Sequence, residues 1–125
     1  MQPVFFVPET VTGQNASGPV LELESETNRI FEITLGVTRA LEQQSLDVSV
    51  WGSSDMADFG TRPLISFPQK FYCGTYTLIL DLSKRPEIRW IQAQWKMSRW
   101  GRGSLKPQFG FYVFAQSLKA FAAAR

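Results

Sequence analysis

Acid–base chemistry in this chain would have to come from carboxylates or lysine, because the 125 residues include no histidine and one cysteine, Cys73. The absence of histidine removes Ser-His-Asp and Cys-His arrangements, histidine-ligated zinc and the usual general base near neutral pH. A single thiol builds no thiolate metal cluster and no intrachain disulfide. No GxxxxGK[ST] or GxGxxG run is present, so neither common glycine-rich phosphate loop is available. The carboxylate candidates are Asp47, Asp55, Asp58, Asp81 and Glu87. A glycosidase needs two such groups facing each other across a cleft, and their spacing along the chain does not supply that. Asp55 and Asp58 stand in SSDMAD, where short polar side chains commonly close turns by bonding nearby backbone N–H groups. These observations predict a protein that is not an enzyme and that binds no cofactor or metal.

Aromatic side chains carry more information. Ten Phe, four Trp and three Tyr make up 14% of the chain. Trp51, Trp90, Tyr112 and Phe114 fall opposite the apolar positions of their segments. An outward aromatic on a sheet marks a second buried face, a subunit interface or a ligand platform. Between Ser98 and Pro107, Arg99, Arg102 and Lys106 are interleaved with Trp100 among glycines. Such a loop suits a nucleic-acid backbone with a stacked base, an acidic protein neighbour, or a solvated hairpin tip.

The elements that must position these residues follow from period-two patterning. Phe31, Ile33, Leu35 and Val37 alternate with polar or small residues, as do Leu46, Val48 and Val50. The same holds for Tyr76, Leu78, Leu80 and Leu82, for Ile91, Ala93, Trp95 and Met97, and for Phe109, Phe111, Val113 and Ala115. With Val4–Val7, Leu21–Leu23 and Leu64–Phe67, about eight short strands are expected, separated by turn-rich stretches. This spacing predicts an all-β antiparallel sandwich, jelly-roll-like, as one domain over 20–125. Residues 1–19, with three prolines and two glycines, are expected to form an N-terminal arm with a short edge strand. A turn of helix is expected over Thr38–Gln44 and a short C-terminal helix over Leu118–Ala124.

Composition bounds the setting. At 44% hydrophobic and 19% charged, the chain has enough apolar residues for one core. No apolar run approaches the ~18 residues of a membrane span, and MQPVFFVPET lacks the positive region of a signal peptide. Synthesis in a reducing, cytoplasmic compartment is expected, with Cys73 a buried or half-buried filler. The net charge of +2 conceals a split: residues 1–62 hold nine acidic and three basic residues, a net −6, whereas 63–125 hold two acidic and ten basic, a net +8. Such a division suits charge-complementary packing of like subunits, a nucleic-acid partner, or strands that interleave within one fold.

The run LDLSKRPEIRWIQAQWKMSRWGRGSLKPQFGFYVFA resembles small β-sandwich structural proteins of phage and prophage particles. The matching stretches are a tryptophan-bearing strand over Ile88–Trp95, the glycine-rich loop Gly101–Gly103 and the P-x-F-x-F-x-V strand over Pro107–Val113. The discoidin-like jelly roll of galactose-binding modules has a similar ending. The resemblance implies a non-catalytic structural protein, assembling with itself or with a particle partner in a virion, capsid or tail setting. A carbohydrate-binding module using Trp51, Trp90, Trp100 or Tyr112 is the alternative, and a nucleic-acid binder using Arg99, Arg102 and Lys106 is the next.

Overall fold

The computed structural model describes residues 3–23, 29–101 and 106–118. Alternating side chains put one apolar row on each strand, and the chain buries those rows between two four-stranded antiparallel sheets. The strands are β1 (Val4–Thr12), β2 (Ala16–Glu22), β3 (Ile30–Ala40), β4 (Gln44–Ser53), β5 (Ile65–Ser66), β6 (Gly74–Asp81), β7 (Trp90–Arg99) and β8 (Phe109–Ser117). Sheet A has the order β1-β8-β3-β6 and sheet B the order β2-β7-β4-β5. First strand pairs with last, second with seventh, third with sixth and fourth with fifth, like one long hairpin rolled up on itself. The central ladders β3–β8 and β4–β7 close the two sheets.

Phe31, Ile33 and Leu35 from β3, Leu46, Val48 and Val50 from β4, Ile91 and Ala93 from β7, and Phe109, Phe111 and Val113 from β8 are fully or almost fully buried. These are the residues that the alternation assigns to the core. Across the core, Trp95 of sheet B meets Phe111 of sheet A edge-on at 5.1 Å, the geometry favoured by the ring quadrupoles.

Two expectations about local structure change, and a third falls almost wholly outside the described residues. Residues 3–19 are strand and tight turn and not an arm: β1 extends to Thr12, β2 starts at Ala16, and the edge strand expected at Val4–Val7 is the start of β1. Of the prolines and glycines that suggested a loop, Pro8, Gly18 and Pro19 sit at irregularities of two edge strands. Register shifts fall between Phe5 and Thr10, around Pro8, and between Ser17 and Val20, around Gly18-Pro19. The chain crosses between sheets at Gly13–Asn15, where Gln14 O accepts the Trp95 indole N–H at 3.1 Å and Asn15 Oδ1 accepts the Met97 N–H at 2.7 Å.

The helical turn over Thr38–Gln44 is also replaced by strand and tight turn. After one register shift, Arg39 and Ala40 still pair with Gly110 and Phe109, and Gln43 takes the left-handed φ of 55°. Gln44 then buries its amide, donating to Gln108 O at 2.7 Å and accepting the Gln108 N–H at 2.8 Å. That side chain replaces a backbone pair at the mouth of the sandwich. The C-terminal helix expected over Leu118–Ala124 lies, beyond Leu118, outside the described residues. Leu118 donates its N–H to Ile30 O at 3.0 Å, and the described residues contain no helix. None of them therefore forms a helix long and apolar enough to cross a membrane.

Candidate functional site

The outward rows of the two sheets differ in kind. On sheet A, Tyr112 and Phe114 of β8 lie beside Phe5 of β1. Phe5 meets Phe114 at 5.0 Å and Tyr112 at 5.6 Å, both edge-on. These three rings, with Pro8, Glu9 and Thr34, line a depression of about 590 Å³. Phe5 keeps 55% of its surface exposed, while Tyr112 and Phe114 are half-buried. Tyr112 is directly opposite Gly36 on β3, and a Cβ added at Gly36 would clash with the Cε2–Cζ edge of its ring. The glycine makes room for the tyrosine to lie against the strand. Phe5 was not expected in this cluster, because its segment read as an arm.

On sheet B, Trp51 of β4 and Trp90 of β7 both face outward and are half-buried. Trp51 lies opposite Gln92, and Trp90 opposite Ser53. The Trp51 indole donates to Ser49 Oγ at 2.9 Å, and the Arg89 guanidinium stands 5.5 Å from the Trp90 ring centre. Beside Trp51, a groove of about 580 Å³ is lined by Asn15, Asp47, Ser49, Gln94 and Lys96.

Trp100 belongs to neither face. It is 48% exposed and packs edge-on against Phe71 at 6.3 Å, past the end of β7. Arg99 is tied to two turns: Nε donates to Glu42 O between β3 and β4, and Nη1 to Lys106 O before β8, both at 3.3 Å. Lys106 is exposed, and Arg102 lies outside the described residues.

The carboxylates are engaged locally. Asp55 Oδ1 accepts hydrogen bonds from Ser53 Oγ and from the Ala57 and Asp58 N–H groups, each at 2.9 Å. Asp58 accepts the Gly60 N–H at 2.8 Å, so the turn chemistry expected of SSDMAD is present. The two backbone donors, then Ser53, hold the Asp55 carboxyl below its ordinary value. The Ser83 hydroxyl and then its N–H do the same for Asp81, and Arg85 does so for Glu87, which it meets at 2.6 Å. Asp47 accepts from Gln69 Nε2 at 3.1 Å. No group of three or more metal-type ligands occurs among the described residues. Cys73, expected as a filler, is exposed; it stands on the turn into β6, beside exposed Tyr72.

No protein family, curated protein or solved structure matches this chain.

Proposed function

We propose that this chain is a non-catalytic structural protein of the jelly-roll type that joins to copies of itself as a component of a larger particle. Its rolled-hairpin strand order is that of the architecture used by capsid and lectin domains, which agrees with the particle-protein resemblance of its second half. The observation that carries the reading is the unequal protection of its four sheet edges. Exposed edges invite pairing with another chain, and proteins blunt them with proline, bulges, charge or brevity. β1 carries Pro8 and two register shifts, β2 carries Pro19 and one, and β5 is two residues long. β6 has none of these. Its eight residues run in unbroken register with β3, from Ile30–Asp81 to Val37–Gly74, and its sole charge is Asp81 at the end. Among the described residues nothing pairs with its other side.

A strand pairs antiparallel with its own copy about a two-fold axis, so this edge closes into a dimer and extends sheet A across it. The aromatic depression on the same sheet offers a second contact. Thr77 and Ile79 point outward and are exposed, so replacing both with Lys places like charges against each other in a β6 pair while sparing the core. The Thr77→Lys/Ile79→Lys protein is expected to sediment at a lower mass than wild type at the same concentration, with an unchanged β-type circular dichroism spectrum. A wild-type chain that sediments as a monomer at ~100 μM, where weak partners with Kd near 1 μM would associate, removes the reading.

A further inference from the structure

We infer that the groove beside Trp51 on the outer face of sheet B is a binding site for a neutral pyranose unit of an oligosaccharide. Its volume, about 580 Å³, falls within the ~300–1,000 Å³ of small-molecule sites. A pyranose presents an apolar C–H face and a rim of hydroxyls, each both donor and acceptor. It therefore calls for an aromatic ring with planar polar groups around it, and the groove supplies that set.

Ser49, Asp47, Asn15 and Gln94 are each held on one side by a neighbour and retain hydrogen-bonding capacity on the other. Ser49 Oγ accepts the Trp51 indole N–H at 2.9 Å, which fixes the ring and leaves the hydroxyl hydrogen to donate. Asp47 Oδ2 accepts from Gln69 at 3.1 Å, leaving Oδ1 as an acceptor. Asn15 spends its carbonyl oxygen on the Met97 N–H at 2.7 Å and keeps its NH2. Gln92 donates to Gly18 O at 2.9 Å and accepts from Gln94 at 3.5 Å, which turns the Gln94 carbonyl away from that bond. Side chains already held in place lose less freedom on binding.

Charge narrows the ligand class. Asp47 lies directly opposite Lys96, so the groove carries one carboxylate and one ammonium. That balance disfavours a phosphate backbone, which selects clustered cations. The carboxylate, ammonium, hydroxyl and amides around Trp51 favour a hydroxylated ligand over an alkyl one. The site lies on the opposite sheet from β6, so it stands or falls independently of assembly.

The test presents the full-length protein to immobilised cellohexaose, maltohexaose and mannohexaose, followed by titration calorimetry with whichever is retained. Binding of at least one is expected. Trp51→Ala should weaken it about tenfold or more, the loss of one ring's stacking energy. Gln94→Ala, which removes no ring and only a half-buried amide, should weaken it severalfold while keeping the wild-type melting temperature. Trp100→Ala and Phe114→Ala should bind as wild type. Retention of none of the three sugars with a Kd below ~1 mM overturns the inference. So does a Gln94→Ala protein that binds as tightly as wild type, or a Trp100→Ala protein that loses binding as completely as Trp51→Ala.

Discussion

The outer faces of sheets A and B obey the same pleat, yet they present different chemistry. Sheet A gathers Phe5, Tyr112 and Phe114 into one apolar depression in which the rings contact one another. Sheet B sets the Trp51 indole, with Trp95 at the groove's margin, among amides, a hydroxyl and an opposed Asp47–Lys96 pair. An apolar patch that exposes a phenylalanine gains most from being covered by another apolar surface. A ring surrounded by held polar groups gains most from a ligand that hydrogen-bonds at its rim. Counting aromatics does not separate the two cases. What separates them is the company each ring keeps on strands far apart in sequence.

The largest effect we predict tests whether sheet A's outer rings are peripheral to stability. Phe111 and Phe114 are three residues apart on β8, one buried in the core and one facing outward. Phe111→Ala should cost about 3–5 kcal/mol in urea unfolding, because it removes a ring and leaves a cavity against Trp95. Phe114→Ala should cost about 1 kcal/mol, the range of partly exposed sites. Equal losses would mean that the outer cluster is a second core and that the contrast between faces is misplaced.

A middle-sized effect is expected at Gly36. A Cβ there meets the Tyr112 ring, and the ring's way out is to swing away from the sheet, leaving Phe5. Gly36→Ala should destabilise by about 1–3 kcal/mol, as overpacking does, and should alter the tyrosine region of the near-ultraviolet circular dichroism spectrum. Tryptophan emission, with Trp51 and Trp90 on the other sheet, should keep its maximum. A shifted maximum would show that the two faces are mechanically coupled.

Much of this architecture is legible in the sequence, and the failures have physical causes. The inward rows of β3, β4, β7 and β8 follow from alternation alone, because a half-buried strand has a two-residue period. Alternation also puts Trp51, Trp90, Tyr112 and Phe114 on outward rows. It does not reveal that β8 lies between β1 and β3, so neither Phe5 beside Phe114 nor Gly36 beneath Tyr112 was foreseeable. The first nineteen residues misled for a related reason. Pro8 and Gly18-Pro19 read as breakers, whereas an edge strand tolerates them at a bulge, where a ladder bond is already missing. The Arg99 loop reads as suited to a nucleic acid, an acidic neighbour or a solvated tip, whereas Arg99 Nε and Nη1 donate to carbonyls of Glu42 and Lys106, a role that charge patterning does not disclose.

The smallest effect concerns acid, and it bears on sheet B's side of the comparison because β4, which carries Trp51, leads into the Asp55 turn. In the folded chain, hydrogen bonds from the Asp58 and Ala57 N–H groups and from Ser53 lower the Asp55 pKa below its ordinary value of 3.8. A carboxyl whose pKa falls on folding stabilises the native state when ionised. Its contribution is therefore complete above pH 3.8, where the unfolded group is ionised too, and it is lost as pH falls through the lower, folded value. Asp81 and Glu87 are lowered as well, so the acid sensitivity of the whole protein does not isolate this turn. The difference between wild type and Asp55→Asn does, because the other two carboxyls are common to both. Urea midpoints measured from about pH 7 down to about pH 2 should show wild type ahead at neutral pH and the gap narrowing only below about pH 4. The asparagine keeps an oxygen for the two backbone donors, so what is lost is the charge assistance and not the turn. Two curves that remain parallel down to the lowest pH would show that Asp55 closes its turn as a neutral acceptor would, with no ionisation linked to folding.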